Sequence, residues 1–277
     1  MKTLHLPSGR EIPVLGQGTW RMGEDSSQKD AEIAALRLGL DMGMTLIDTA
    51  EMYGEGGAEE VVGEAIKNRR EEVYLVSKVY PHNASRKGAV EACERSLKRL
   101  KTDCIDLYLL HWRSSIPLSE TLGAFESLKQ AGKIRDYGVS NFDADDMKKA
   151  INLANGKEIA TNQVLYNLAR RGIEWDLLPW CHQHNIPIMA YSPIEQKGIL
   201  KNSVLKSLAS RHNATPAQIG LAWLLQQPGI IAIPKASNPE HVKENSAALD
   251  IQLTQEDLTE LDQAFPPPNR KMSLAIR

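Results

Sequence analysis

The stretch Thr45-Leu-Ile-Asp-Thr-Ala-Glu-Met-Tyr-Gly54 places two ionisable side chains directly after an apolar run that is typical of a buried strand. Asp48 closes the run, and the phenol of Tyr53 follows within the next turn of chain. Taken alone, the acid could simply cap the following segment. The pair therefore becomes informative only when other strands end in the same way.

Two later apolar runs also end in groups that can carry chemistry. Residues 73–79 carry Lys78 near their exit, and residues 105–111 end in His111. A snorkelling lysine and a satisfied core histidine would each explain one of these residues. Their repeated position at the ends of successive strands instead favours convergence with Asp48 and Tyr53 at one end of a sheet.

Length and composition bound the class of protein. At 277 residues and 42% hydrophobic, the chain suits two ordinary domains or one large α/β barrel. The 33 Lys and Arg residues against 35 Asp and Glu residues leave a net charge of −2. Such a balance gives no general attraction to nucleic acid or to an anionic membrane surface, so neither is an expected partner.

The cysteines and the N-terminus indicate a reducing compartment. Cys93, Cys104 and Cys181 are an odd number scattered through helix-like and strand-like segments, which argues against a secreted disulfide framework. Residues 1–10 lack the apolar core of a signal peptide, and no apolar run reaches the length of a membrane span. We therefore expect a cytoplasmic protein.

A strand-helix rhythm runs through most of the chain and predicts its fold. A hairpin from residues 2–6 and 11–15, joined by a Pro-Ser-Gly turn, precedes it. Strands are predicted at 16–19, 45–49, 73–79, 104–111, 134–140, 161–166, 186–192 and 230–235. Helices are predicted at 28–42, 58–67, 86–99, 118–131, 143–154, 174–184, 200–211, 215–227, 239–249 and 254–264.

Eight such units without a linker predict one α/β domain over residues 1–277, a (β/α)₈ TIM barrel with an N-terminal β-hairpin and extra C-terminal helices. The alternative is an open doubly wound sheet, which usually carries a glycine-rich turn after its first strand. The run Gly16-Gln-Gly-Thr-Trp-Arg21 lacks the third glycine of that pattern. The polar tail 269–277 either drapes over a barrel mouth or stays mobile.

The four converging groups suit proton transfer to a carbonyl oxygen. A free tyrosine has a pKa of about 10, and an adjacent ammonium such as Lys78 is expected to lower the pKa of Tyr53. Asp48 would keep Lys78 charged and oriented, and His111 would hydrogen-bond to a substrate oxygen. Because the set contains no nucleophile and no metal cluster, the hydride must come from a cofactor.

Seven ordered motifs resemble the signatures of the aldo-keto reductase superfamily over almost the whole chain. They are Asp48-Thr-Ala-Glu-Met-Tyr53, Val76-Ser-Lys78, Leu109-Leu-His111, Gly138-Val-Ser-Asn141, Asn162-Gln163, Tyr191-Ser-Pro193 and Ile233-Pro-Lys235. Gln17-Gly-Thr-Trp20 and Gln163-Val-Leu-Tyr166 look most similar to a bacterial branch that includes methylglyoxal reductases. The resemblance implies an NADPH-dependent barrel reductase acting on small aldehydes and α-dicarbonyls such as methylglyoxal, with a monomer as the expected state.

The resemblance also implies roles for individual residues. Tyr53 would be the general acid, supported by Asp48, Lys78 and His111. Ser140, Asn141 and Gln163 would bind the carboxamide of the nicotinamide, and Tyr191 would stack on the nicotinamide ring. The segment 192–200, including Ser192, Pro193, Ile194 and Leu200, would hold the pyrophosphate of the cofactor. Lys235 would bind its 2′-phosphate, and Glu244 with Asn245 would bind its adenine. Ala236, Ser237 and His241 would complete the cofactor site, and Trp20 and Trp112 would wall the substrate pocket.

Some features depart from the family pattern or leave an alternative open. His241 and Ala236 stand where relatives often carry an arginine and a serine, which predicts weaker selection for the 2′-phosphate. The alternative function is a regulatory or scaffold subunit that binds the cofactor with little turnover. Zinc binding by Cys181, His182 and His184 is disfavoured, because only Cys181 and His184 share a helix face. No metal is therefore expected.

Overall fold

Eight parallel strands pair in chain order around a barrel in the computed structural model, which describes residues 2–195 and 198–277. The strands are β3 (Gly16–Gly18), β4 (Leu46–Asp48), β5 (Tyr74–Val79), β6 (Ile105–Leu110), β7 (Ile134–Ser140), β8 (Ile159–Leu165), β9 (Ile188–Tyr191) and β10 (Ile230–Ala232). Ahead of them, β1 (Thr3–His5) and β2 (Glu11–Pro13) form an antiparallel hairpin. The predicted barrel and hairpin are confirmed.

The last strand meets the first along a seam that closes the barrel. The N–H of Ala232 donates to Val14 O at 2.8 Å, and the N–H of Gly18 donates to Pro234 O at 3.0 Å. Bridges between Leu15 and Ala232 and between Gly18 and Lys235 continue the pairing. This seam joins the two edge strands of the eight-stranded sheet, so the alternative of an open doubly wound sheet is wrong.

Helices cover the outside of the barrel and make the crossovers between its parallel strands. They are α1 (Lys29–Asp41), α2 (Gly57–Ala65), α3 (Arg86–Leu100), α4 (Leu118–Gln130), α5 (Ala144–Ala150), α6 (Leu177–Gln183), α7 (Ser203–Arg211), α8 (Pro216–Gln226), α9 (Pro239–Ala247) and α10 (Gln255–Ala264). The extra helices α7 and α10 pack against each other. None of the helices in the described ranges is long and apolar enough to cross a membrane.

Some helix boundaries differ from those predicted, for local reasons. Helix α7 begins at Ser203 rather than at residue 200, because the Asn202 side chain accepts the N–H groups of Val204 and Leu205 and so caps the first turn. Helix α6 begins at Leu177, which leaves Pro179 in the first turn, where a missing N–H costs nothing. Sequence periodicity does not register such caps.

The barrel interior is a packed apolar core, and the hairpin closes one end of it. One cluster joins interior side chains from six of the strands with Leu6 and Ile12 from the hairpin region. Its other members are Leu46, Val76, Leu107, Leu109, Ala160, Met189, Ile231 and Ile233, of which Ile233 directly follows β10. Each of the Leu, Val, Ile and Met side chains contributes about 1.5–3 kcal/mol when fully buried. Because the hairpin plugs the N-terminal end, only the C-terminal ends of the strands are left for a site.

We predict that Gly18→Ala destabilises the protein by about 1–3 kcal/mol, because overpacking in a well-packed region costs that much. A Cβ at Gly18 would lie 2.8 Å from Ile233 O, so the two backbones at the seam would have to move apart. Gly172→Ala is the matched control, since a Cβ there meets its nearest atom, Met272 Cβ, at 3.5 Å. Urea unfolding of both variants measures the difference, and equal stabilities would contradict the prediction.

Candidate active site

Alternation along the strands brings the predicted polar residues to the mouth of the barrel. Side chains two residues apart face the same side of a strand, so the position two beyond an interior apolar residue also faces inward. The residues placed in this way are Asp48 beyond Leu46, Lys78 beyond Val76, His111 beyond Leu109, Tyr191 beyond Met189 and Lys235 beyond Ile233. The C-terminal strand ends therefore carry the chemistry, as expected for this barrel.

Lys78 is fully buried and uses its whole ammonium group on three acceptors. Its Nζ donates to Asp48 Oδ2 at 2.8 Å, to Thr49 O at 2.9 Å and to Tyr53 Oη at 3.3 Å. An ammonium has three donors and no acceptor. The phenol oxygen of Tyr53 is thus an acceptor toward Lys78, which leaves its own proton for another partner.

Burial changes the pKa of both groups in this pair. Burial raises the pKa of Tyr53, and the charge of Lys78 offsets only part of that increase. For Lys78, burial acts to lower the pKa, but Asp48 and then Tyr53 act in the opposite direction and leave it raised. The expectation that Lys78 lowers the pKa of Tyr53 below its ordinary value is wrong for this state. Tyr53 is held as a neutral phenol beside a charged lysine.

His111 lies against Tyr53 and is held neutral. The rings of Tyr53 and His111 meet edge to face with centroids 5.6 Å apart, and the ring of Trp112 packs against His111 with centroids 4.8 Å apart. Burial, with a further contribution from Lys78, puts the pKa of His111 well below its usual value. Its Nδ1 is buried and has no hydrogen-bond partner among the described residues. The imidazole can therefore act as a neutral hydrogen-bond donor, which suits a carbonyl oxygen.

The residues predicted to hold the nicotinamide carboxamide are brought together. Ser140 Oγ donates to Gln163 O at 2.8 Å, and Asn141 Nδ2 donates to Ser140 Oγ at 3.2 Å. Tyr191 Oη donates to Asn141 Oδ1 at 2.9 Å. Burial raises the pKa of Tyr191 to about 12, so its hydroxyl keeps its proton for this bond. These contacts form one hydrogen-bonded network at the ends of β7, β8 and β9.

A β-bulge decides which amide side chain faces the barrel interior. Between β7 and β8 the register shifts, since Tyr137 pairs with Ile159 but Val139 pairs with Asn162. The extra residue in β8 reverses the alternation there. Asn162 consequently points to the outer layer, where its Nδ2 donates to Phe142 O at 2.8 Å. Gln163 points inward, and its Nε2 donates to Asp48 Oδ1 at 2.8 Å.

The predicted phosphate-binding and adenine-binding residues lie on the segments after β9 and β10. Lys235 is exposed at the end of the last strand, and its Nζ donates to Ser237 Oγ at 3.1 Å. Ala236 follows directly, and His241, Glu244 and Asn245 lie on α9. After β9 come Ser192, Pro193, Ile194 and Leu200. Gln196 and Lys197, within the predicted pyrophosphate segment, lie outside the described residues.

Two tryptophans and a tyrosine border the site. Trp20 is 40% exposed and follows Thr19, whose N–H and hydroxyl both donate to Asp48 O at 3.0 Å. Trp112 packs edge to face against Tyr80 with centroids 5.2 Å apart. Tyr80 was not predicted from the sequence, although it stands two residues beyond Lys78 and the alternation of β5 could have identified it.

The C-terminal tail drapes over the barrel mouth, which resolves the alternatives left open by the sequence. The backbone N–H of Arg277 donates to Tyr191 Oη at 3.3 Å, and its guanidinium pairs with the buried carboxylate of Glu195. Lys271 pairs with Asp145 at 3.1 Å and with Asp176 at 3.2 Å. Sequence reasoning gave draping over the mouth as one of two alternatives but did not identify the residues that the tail contacts. Its pairing partners lie far away in the chain and leave no local signal.

A cavity of about 910 Å³ lies between the tail and the loop after β8. Leu165, Leu168, Phe265 and Leu274 are among its lining residues, whereas Tyr53, Lys78 and His111 are not. The cavity is therefore lined by residues other than the buried group of Lys78, Tyr53 and His111.

The candidate zinc ligands are engaged elsewhere. His182 Nε2 lies 2.9 Å from Pro228 O, and His184 Nδ1 lies 2.8 Å from Trp180 O. Cys181 is buried, and burial raises its thiol pKa to about 12. Across residues 2–195 and 198–277, no group of three or more His, Cys, Asp or Glu side chains is arranged to hold a metal ion.

Comparison with known proteins gives close matches over the full chain. The model of the Aldo/keto reductase family matches residues 14–265. Methylglyoxal reductase YeaE of Escherichia coli is 52% identical over 99% of this chain and 98% of its own length, and glyoxal reductase of Bacillus subtilis is 35% identical over 94% and 91%. A crystal structure of an aldo/keto reductase from Klebsiella pneumoniae in complex with NADP and acetate is 52% identical, with a TM-score of 0.98 over 100% of this chain and 99% of that one.

We predict that His111→Gln weakens the dependence of stability on pH. Because the folded pKa of His111 lies well below the value of about 6.5 expected in the unfolded chain, the unfolded state takes up a proton first as pH falls below that value. The wild type should therefore lose up to about 2 kcal/mol more unfolding free energy than the variant between pH 7.5 and pH 5. Urea titrations at both pH values measure this, and parallel losses would contradict it.

Proposed function

Because this chain belongs to the aldo/keto reductase family, we propose that it reduces small aldehydes and α-dicarbonyls, methylglyoxal among them, to the corresponding alcohols. It is an oxidoreductase that works with NADPH, and similar structures contain NADP or NADPH. The observation that carries the proposal is the bonding of Lys78, which donates to Tyr53 and leaves the phenol proton available for a substrate oxygen.

The donor set at the barrel mouth fits NADPH chemically. Among the described residues, none donates to Gln163 Oε1, so this oxygen suits the N–H₂ of a nicotinamide carboxamide. Asn141 and Ser140 would complete that contact, and the partly exposed ring of Tyr191 would stack on the nicotinamide. The exposed ammonium of Lys235 suits the 2′-phosphate.

The remaining cofactor contacts follow from position along the barrel mouth. We infer that Ser192, Pro193, Ile194 and Leu200 border the pyrophosphate, since they follow β9. Ala236, Ser237 and His241 flank the 2′-phosphate, and Glu244 and Asn245 on α9 contact the adenine. In this arrangement the dinucleotide runs from the centre of the mouth toward α9.

The proposed mechanism divides the reduction into one hydride and one proton. When bound, NADPH supplies the hydride to the carbonyl carbon. Tyr53 gives its proton to the carbonyl oxygen, and the resulting phenolate is stabilised by Lys78 at the 3.3 Å contact. His111 donates a hydrogen bond to the same oxygen as negative charge develops there. Asp48 keeps Lys78 charged throughout, and the aldehyde leaves as an alcohol.

The pocket walls favour small substrates. We propose that Trp20, Trp112 and Tyr80 form the apolar side of the substrate site, because Trp112 packs against both His111 and Tyr80, and Trp20 follows β3. These rings offer limited apolar area for a bulky ligand to bury against.

We predict that Tyr53→Phe lowers kcat for methylglyoxal by at least about a hundredfold, since general acid catalysis is worth 10² to 10⁴. NADPH affinity should stay within a few-fold. Tyr74→Phe is the matched control, because the Tyr74 hydroxyl has no hydrogen-bond partner in the described structure. NADPH oxidation followed by absorbance tests both variants. A Tyr53→Phe enzyme that keeps more than about a tenth of kcat would remove Tyr53 from its role, and a wild type without turnover would favour a binding subunit.

We also predict that methylglyoxal and other small aldehydes have higher kcat/KM values than bulky ketones such as steroids. Remote binding energy raises kcat/KM only when the pocket can contact the whole ligand. A panel of aldehydes, α-dicarbonyls and steroids at fixed NADPH measures the order. A steroid with the highest kcat/KM would overturn the proposed substrate class.

For the cofactor, we predict a preference for NADPH over NADH that depends on Lys235. A charge-assisted contact to phosphate is worth roughly 1.5–3 kcal/mol, which is about a ten- to hundredfold preference. Lys235→Met should remove most of it, whereas His241→Arg should increase it, because arginine offers a bidentate fork that histidine lacks. The ratio of kcat/KM values for the two cofactors measures each change, and a wild type that prefers NADH would refute the assignment.

A further inference from the structure

We propose that Gln163 is a positioning residue for the proton donor, in addition to any contact it makes with the cofactor. Its amide N–H₂ group fixes Asp48, and Asp48 in turn fixes Lys78 and Tyr53. The proposal rests on the proposed function, in which Tyr53 is the acid.

Both oxygens of the Asp48 carboxylate are used. Asp48 is 2% exposed, so water reaches it poorly. Its Oδ2 accepts from Lys78 Nζ at 2.8 Å, and its Oδ1 accepts from Gln163 Nε2 at 2.8 Å. A buried carboxylate oxygen without a donor is costly, and a donor on each oxygen also sets the rotation of the carboxylate plane. The direction of the Lys78 contact therefore depends on Gln163.

The orientation of the Gln163 amide follows from its neighbours. A carboxylate can only accept hydrogen bonds, so the amide must present nitrogen rather than oxygen to Asp48. The same Nε2 also lies 2.9 Å from Met189 Sδ, which is a weak acceptor. Both N–H groups therefore point at acceptors inside the barrel. A rotated amide would set its oxygen against Asp48 Oδ1, which is repulsive.

This orientation makes Gln163 a link between the cofactor and the acid. Oε1 is left as an acceptor for a carboxamide N–H, while Nε2 holds Asp48. The bulge in β8 creates the link, since without the register shift at Val139 and Asn162 the inward position would fall on another residue. A residue that only bound the carboxamide would not need to donate to Asp48. The hydrogen bond from Nε2 to Asp48 Oδ1 is the feature that separates a positioning role from cofactor binding alone.

Gln163→Glu tests the donor while keeping an acceptor. At high pH the introduced carboxylate cannot donate to Asp48 and repels it. At low pH the two facing carboxyl groups share a proton, and the shared O–H restores the missing bond. We expect the ratio of variant to wild-type kcat to approach one near pH 5 and to fall by roughly ten- to a hundredfold by pH 9. The NADPH dissociation constant near pH 6, read from nucleotide fluorescence, should change by only a few-fold.

Three further measurements make the test decisive. In the cofactor-free protein, the loss of unfolding free energy caused by Gln163→Glu should grow as pH rises. The folded variant holds a proton between the two carboxyl groups more tightly than the unfolded chain does, so the folded state loses stability when that proton leaves. Gln163→Met, which has no ionisable group, should lose kcat at saturating NADPH by at least tenfold at every pH, with no recovery in acid. Met189→Leu removes the other partner of the amide and should leave kcat within a few-fold.

The outcomes distinguish this proposal from the proposed function. A Gln163→Glu ratio that does not vary with pH, or a Gln163→Met enzyme with wild-type kcat at saturating NADPH, would overturn the positioning role. If the positioning role fails in this way but Tyr53→Phe is inactive, Tyr53 remains the proposed general acid. If Tyr53→Phe is fully active, the proposed function fails first.

Discussion

The buried pair of Lys78 and Asp48 is the interaction on which the rest of the site depends. Removing two charges from water costs several kcal/mol per ion, and this cost is offset only when every donor and acceptor is satisfied. Here the ammonium has three acceptors and the carboxylate has a donor on each oxygen. The pairing of Asp48 with Val76 in adjacent strands fixes the distance between their backbones. The barrel thus provides the rigid frame that the pair requires.

The hairpin and the seam explain why this chemistry is confined to one end. Leu6 and Ile12 fill the N-terminal end of the barrel, and the seam between Gly18 and Pro234 removes the last sheet edge. The side chains of the candidate site are therefore gathered at the C-terminal strand ends. The tail covers part of that end through Arg277, so access is shaped by the most distant part of the chain as well as by the strands.

Much of the site could be predicted because it depends on alternation along strands. Asp48, Lys78 and His111 each follow an interior apolar residue by two positions, and this pattern is visible in the sequence. The bulge that turns Gln163 inward was not visible, since an extra residue in one strand shows only against its partner. The direction of the Tyr53 pKa was also predicted wrongly. Proximity to Lys78 can be guessed from motifs, but burial depends on packing from several elements.

The bulge in β8 also restricts how this protein can change during evolution. A loop tolerates gain or loss of a residue, because its ends stay in place. Straightening β8 without the loss of a residue would restore plain alternation from Ile159 and turn the amide of Gln163 away from the barrel interior, whereas loss of the extra residue between Ile159 and Asn162 would keep Gln163 facing inward. A length change in β8 is therefore tolerated only where the bulge absorbs it, so descendants of this chain should vary in loop length far more readily than in the length of β8.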